Sequence, residues 1–229
     1  YLGAAQAAAA TMANAVAVAC DVADGASVAA LAAAMQQTLG GCDILVNNAA
    51  LTQKPARLAK LAEADLDRLL AVNVKSLYHM AVHVLPLLRA AGGGAVVNVS
   101  SVGALRPRPG MSWYNATKSA MLTLTQSMAA EYAADKIRVN AVAPVAGRTR
   151  MLDTMFGAEV DAGVQRLLAT IPLGRLADPA DIAAAVAFLV SDDAAFITGV
   201  TLPVDAGWLV QAPYAHYLQG NPIRQTSAN

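Results

Sequence analysis

Charge is scarce in this chain and has no net sign. Sixteen Lys and Arg offset sixteen Asp and Glu, charged residues make up 14% of the 229, and neither Lys nor Arg gathers into a long run. The electrostatic footprint that draws a protein to nucleic acid or to an anionic membrane surface is therefore missing. Long apolar runs are missing as well. Although 56% of the residues are hydrophobic, none of their runs reaches the ~20 positions that a spanning helix needs. The first residues show no signal-peptide pattern. Cysteine is limited to Cys20 and Cys42, each beside an apolar run, which reads as lone buried thiols in a reducing, cytoplasmic setting. Aromatics are only 5%, and the abundance of alanine suits helices packed closely on a sheet. What remains is enough chain for one sizeable core and a single domain, 1–229.

Short apolar runs alternate with longer helical stretches. The runs are AVAVACDV (15–22), CDILVNNAA (42–50), GAVVNVSSV (94–102), IRVNAVAP (137–144) and VTLPVDAG (200–207). Most are apolar without a break, as expected of strands covered on both faces. Helices are expected at about 25–39, 62–90, 112–134 and 179–191; Asp178-Pro179 is a good helix start, and Pro86 should kink or end its helix. This alternation predicts an α/β fold, a three-layer, doubly wound parallel sheet of Rossmann type. Residues 145–175, with Gly147, Gly157, Gly163, Pro172 and Gly174, read as a long connection carrying a mobile helical lid. The tail, 211–229, has no clear periodicity. Ligands of such sheets bind beyond the carboxyl ends of the strands. Here those ends carry Asp21, Asn47-Asn48-Ala49-Ala50, Ser100-Ser101 and Pro144.

The stretch WYNATKSA (113–120) supplies the chemistry. Tyr114 and Lys118 are four apart, so a helix places them on one face. Taken alone, this spacing also fits a solvated helix face. Ser101 ends a strand thirteen residues before Tyr114, and Asn73 sits within the preceding long helix. A carbonyl that gains a hydride needs a proton on its oxygen. Tyrosine can give it, but with a reference pKa of ~10 it is a poor base for the reverse step at neutral pH. A nearby ammonium favours the phenolate, and lowering the pKa by ~2 units takes ~2.7 kcal/mol of preferential stabilisation. A serine hydroxyl can hold the substrate oxygen.

In order and spacing, NNAA (47–50), VNVSS (97–101), YNATK (114–118), IRVNAVAP (137–144), IPLGRLADPADIAAAVAFLVSDDAAFITG (171–199) and VDAG (204–207) resemble the short-chain dehydrogenase/reductase family over roughly 15–210. The resemblance implies an NAD(P)-dependent oxidoreductase that transfers a hydride between nicotinamide and a carbonyl or secondary alcohol. It implies Tyr114 as general acid/base, Lys118 as the group that lowers its pKa and binds the nicotinamide ribose, Ser101 on the substrate oxygen, and Asn73 extending a proton relay through water. It further implies cofactor contacts from Asp21 and the adjacent Val22 at the adenine end, from Asn47 and Ala49 along the ribose and pyrophosphate, and from Pro144, Val145 and Thr149 beside the nicotinamide. A homotetramer, or a homodimer, built on the 62–90 and 112–134 helices is implied too. Some roles have plainer alternatives: Asn73 bonding its own helix, Asp21 as a turn residue, Thr149 as a cap of the lid.

The sequence departs from the family pattern in several places. The glycine-rich G-x-x-x-G-x-G turn that brings a pyrophosphate to a helix N-terminus is absent, and the chain begins with what reads as the helix before the third strand. The expectation is a sheet without its first two strands, either because ~35–45 preceding residues are not in this sequence, a size set by the βαβ unit, or because the chain is a truncated, inactive binding or scaffold subunit. The residue that selects NAD or NADP falls in the absent second strand, so that preference is not readable. Val145 follows Pro144 where the family usually has glycine, and Gly147 stands two places on. VDAG replaces the commoner VDGG, with little effect expected. His79 and His83 have a spacing that suits a metal, but no acidic or cysteine partner stands at ligand spacing, so surface or interface histidines and no metal are expected. Trp113 either borders the pocket or anchors its helix. Met151, Leu152, Met155 and Phe156 form either an apolar substrate wall or an ordinary helix face. Tyr214, His216 and Tyr217 suggest a surface tail or a cover for a neighbouring subunit.

Overall fold

The structure, a computed structural model, describes residues 2–210; Tyr214, His216 and Tyr217 lie outside the described residues. Its centre is a parallel sheet of β1 (Ile44–Asn47), β2 (Gly94–Val99), β3 (Ile137–Pro144) and β4 (Thr201–Val204), side by side in that order. The register sets Asn47 beside Asn98, Val99 beside Val142 and Pro144 beside Val204, so the carboxyl ends fall along one edge.

Neighbouring residues of a strand face opposite sides, and Val96 and Val97 of β2 show both sides covered. Val96 joins a cluster with Val28, Met80, Leu88 and Met128, contributed by α2 (Gly25–Leu39), α4 (Ser76–His83), α5 (Leu85–Ala90) and α7 (Ser112–Glu131), and with Val84 between α4 and α5. Val97 packs with Val142 and Leu189 beneath α10 (Pro179–Val190). Continuous apolar strands between two helical layers are the three-layer α/β architecture expected. A third cluster lies beyond the strand ends. There Val102, Val145, Leu152, Ile171 and Leu176 gather around α8 (Met151–Phe156) and α9 (Val160–Leu168).

Local chemistry places the helix ends. After α1 (Leu2–Ala9), the Asp24 carboxylate accepts from the N–H groups of Ala26 and Ser27 to start α2. Asp178 and Asp181 form a reciprocal capping box at α10, with Pro179 in its first turn. The expected 62–90 helix is interrupted twice. A π-turn, Ala71–Lys75, separates α3 (Glu63–Leu70) from α4 and holds Asn73. The chain then breaks at Val84, two residues before Pro86.

One expected strand is not formed. Residues 15–21 have no regular secondary structure and Val22 lies in a turn, and Val16 and Val18 are exposed. Their apolar character satisfies half of what a strand needs. The other half is a neighbour for the backbone N–H and C=O groups, and among the described residues no strand pairs with this segment. Among the described residues β1 likewise pairs only with β2, and its Ile44 and Val46 are exposed. His79 also differs from expectation: it is buried, close enough to Gly25 that a Cβ there would meet its Nδ1 at 3.0 Å.

Val145 keeps an ordinary backbone and donates its N–H to Val204 O at 3.1 Å, so the absent glycine is not needed there. Gly147 serves close approach, since a Cβ would lie 3.0 Å from Ala177 O. Ala206 is another matter. Its φ of 54° lies in the left-handed region, which costs an L-residue about 1–2 kcal/mol. Ala206→Gly should relieve this cost against a loss of about 0.4–1 kcal/mol from the freer unfolded chain. The expected net gain is up to about 1.6 kcal/mol, a rise of up to roughly 6 °C in Tm. Thermal denaturation followed by circular dichroism checks it, and a lowered Tm contradicts the strain.

Candidate active site

The carboxyl ends of the strands open onto a cavity of about 940 Å³. β1 is followed by Asn48 and Ala49, β2 by Ser100 and Ser101, and β3 ends in Pro144 with Val145 next, all in the wall. Ser101 begins a short helix, α6 (Val102–Leu105), and its hydroxyl accepts the N–H of Gly103 at 3.1 Å. The first two turns of α7 bring Tyr114 and Lys118 to the same cavity.

Several buried polar side chains fix α7. Its N-terminus has no cap of its own. Instead Gln53 Oε1 accepts the Tyr114 N–H at 2.8 Å, while Gln53 Nε2 donates to Gly110 O at 3.1 Å. Asn73 Oδ1 accepts the Leu51 N–H at 2.8 Å, and Nδ2 donates to Leu51 O at 2.9 Å and to Thr117 Oγ1 at 3.0 Å. The amide therefore ties the loop after β1 to α7, at the residue next to Lys118. Lys118 Nζ donates to Val99 O at 2.7 Å, and Ser100 Oγ donates to Lys118 O at 3.0 Å. Further along, Asn47 Nδ2 donates to Asn98 Oδ1, and Asn98 Nδ2 to Thr125 Oγ1, both at 2.8 Å. Buried amides in low dielectric need such partners, and satisfied networks are rigid.

Electrostatics follows from burial. Tyr114 has its pKa raised by burial, offset in part by the Ser101 hydroxyl and the Arg108 charge. Lys118, only 2% exposed, has its pKa lowered from 10.5 to about 8 by burial. Arg108 is lowered by burial, with the Tyr114 phenol acting against it. The ammonium gives one donor to the β2 carbonyl; Ser101 and Arg108 draw the phenol down.

Of the residues singled out in the sequence, the cavity gathers Ser101, Tyr114, Lys118, Ala49, Pro144, Val145 and Thr149. Asn73 stands behind them. Asn47 does not reach the cavity, because its amide turns to Asn98 within the sheet. Asp21 and Val22 lie outside it too. The Asp21 carboxylate accepts the Ala23 N–H at 3.0 Å, and Val22 packs on the core. Trp113 anchors its helix by donating to Leu58 O at 3.2 Å. Met151, Leu152 and Met155 line the cavity, whereas Phe156 packs over Gly163. Sequence reasoning missed Gln53, Arg108 and Trp208. Only Arg108 carried a local signal, an arginine held between Pro107 and Pro109.

Residues 2–209 match a family model described as enoyl-(acyl carrier protein) reductase. The chain is 44% identical over 195 residues to a 4-formylbenzenesulfonate dehydrogenase of Comamonas testosteroni, covering 85% of this chain and 77% of that protein. It is 40% identical over 189 residues to a cis-4-hydroxycyclohexanecarboxylate dehydrogenase of Sinomonas cyclohexanicum, covering 82% and 74%. Among solved structures, a 3-ketoacyl-(acyl-carrier-protein) reductase from Brucella melitensis complexed with NADH superposes with a TM-score of 0.84 at 39% identity, covering 90% of this chain and 84% of that one.

The Lys118 shift has a consequence for stability. The folded protein holds this proton less tightly than the unfolded chain does. Burial of the ammonium therefore destabilises fully below pH 8, and the penalty fades as pH rises toward 10.5. The unfolding free energy of Lys118→Met minus that of wild type should be larger at pH 7 than at pH 10.5 by about 3 kcal/mol. Urea denaturation across this range reads the difference, and a flat profile contradicts a buried ammonium.

Proposed function

The chain belongs to the short-chain dehydrogenase/reductase family and is an NAD(P)-dependent oxidoreductase; from that premise we propose that Tyr114 is its general acid/base, acting on a carbonyl or secondary alcohol held by Ser101. The observation that carries the proposal is the convergence of Ser101, Tyr114 and Lys118 on one cavity at the carboxyl ends of the strands. The relatives' names span a formylbenzenesulfonate, a hydroxycyclohexanecarboxylate and a ketoacyl group, which supports a carbonyl or alcohol carbon as the reacting centre.

The donor set suits a nicotinamide and its ribose. Lys118 directs one donor at Val99 O, and an ammonium has three, leaving capacity for ribose hydroxyls. Asn48 and Thr149 add polar groups, and Ala49, Pro144 and Val145 add an apolar wall. When bound, the cofactor supplies or takes the hydride. The chain's own residues manage the proton. With its pKa raised, the Tyr114 phenol is protonated at neutral pH and carries the proton that a carbonyl oxygen takes up in the reductive direction. In the oxidative direction the phenolate must form, and Ser101 and Arg108 are the groups that ease it. Asn73 acts as a positioning residue, holding α7 through Thr117.

A cytoplasmic homo-oligomer, a tetramer or a dimer, completes the proposal. Exposed Leu70, Tyr78 and Val82 on α3 and α4 support it, as large apolar side chains that association would cover. Among the described residues no helix is long and apolar enough to cross a membrane.

Tyr114→Phe removes the proton and leaves the ring. Nicotinamide absorbance, followed with a panel of alcohols and ketones and each cofactor, should show kcat lower by about 10²–10⁴-fold, while cofactor binding measured by fluorescence persists. Turnover within tenfold of wild type would remove Tyr114 from the mechanism.

A further inference from the structure

The cavity wall holds more positive than negative charge, with Lys118, Arg106, Arg108 and Arg150 against Asp178. Lys118 is engaged with Val99 O. Arg106 donates to Trp208 O at 3.2 Å and stacks 5.0 Å from the centre of the Trp208 ring. The acid in the wall, Asp178, is occupied in the α10 capping box and lies 3.7 Å from Arg175. Arg108 is different. Its Nη2 donates to Met155 Sδ at 3.5 Å, and a thioether is a weak acceptor. Among the described residues no carboxylate pairs with it, and residues 211–229 contain no Asp or Glu.

A partly buried guanidinium without a carboxylate is costly unless something satisfies it. Arg108 is also held in place. Pro107 and Pro109 flank it, each with a fixed φ. Its carbonyl accepts Asn115 Nδ2 at 3.1 Å, and the Gly110 that follows is tied to Gln53 and Ala56. The loop thus presents a stiff planar fork beside the phenol, and such a fork matches the paired oxygens of a carboxylate or sulfonate. The remaining wall is largely apolar, with Val102, Leu152, Met155 and Trp208.

We propose that Arg108 is the specificity-determining residue of this site and binds a carboxylate or sulfonate on the substrate, so that the preferred substrates are apolar-bodied carbonyls or alcohols bearing one such group. The proposal rests on the oxidoreductase reading for the reacting centre, but the anion site can be tested without turnover.

Benzoate is titrated calorimetrically against the full chain, with benzamide as the uncharged control, in wild type, Arg108→Met and Arg108→Lys. Wild type should bind benzoate at least tenfold more tightly than benzamide. That preference should fall at least tenfold in Arg108→Met and recover in part in Arg108→Lys, with benzamide binding reporting an intact cavity. No preference in wild type, or one that survives Arg108→Met, overturns the assignment. In turnover, the kcat/KM ratio of 4-formylbenzoate to benzaldehyde should fall at least tenfold in Arg108→Met, chiefly through KM. Equal losses for both aldehydes with a displaced pH profile would put the role of Arg108 on the phenol and overturn the anion site. If wild type reduces neither aldehyde yet keeps its benzoate preference, the hydride-transfer mechanism fails while the anion site stands.

Discussion

A single hydrogen bond sets the geometry of the site, from the buried ammonium of Lys118 to the carbonyl of Val99 at 2.7 Å. It joins the first half of α7 to the last residue of β2, where the sheet ends and the cavity begins. A charge taken out of water demands a partner, and a backbone carbonyl at a strand end is among the most rigid partners a protein offers. Once this bond is made, Tyr114, one turn earlier on the same helix face, is directed into the cavity. Ser101, two residues beyond Val99, is brought to it by the strand.

The rest of the polar interior reinforces this placement. Asn47, Asn98 and Thr125 run from β1 through β2 to α7, and Asn73 clamps the loop after β1 against Thr117. Gln53, from that same loop, supplies the cap that α7 lacks. The catalytic helix is thus held at its start, middle and far half by groups from three other segments. The π-turn at Asn73 serves this end. One extra residue in the turn accompanies an amide that faces both Leu51 and Thr117, consistent with the tendency of π-turns to fall at functional sites.

What the sequence made legible was local. Unbroken apolar runs at 94–99 and 137–144 read as covered strands, the Asp178-Pro179 start read as a helix, and Tyr114 with Lys118 read as one face. What it concealed depends on neighbours. Residues 15–22 have strand composition, but a strand exists only beside another. Gln53 looks like any loop glutamine until Tyr114 arrives from 61 residues away. Trp208 and Arg108 enter the cavity through tertiary packing that no periodicity announces. Asn47 looks like a ligand contact from its place at a strand end, yet side chains alternate along a strand, and its amide bonds within the sheet. Ala206 looked like a neutral exchange because backbone strain leaves no mark on composition.

Burial and charge oppose each other at the phenol. Burial favours the protonated form, and Ser101 and Arg108 pull the other way without overcoming it. The most direct measurement is the ionisation of Tyr114 itself, followed by NMR of protein labelled with ¹³C at tyrosine Cζ and assigned by the signal lost in Tyr114→Phe. In the cofactor-free protein the phenol should ionise above the ordinary tyrosine value of about 10, and higher still in Ser101→Ala. Ionisation below about 10 would contradict a proton held on the phenol by burial.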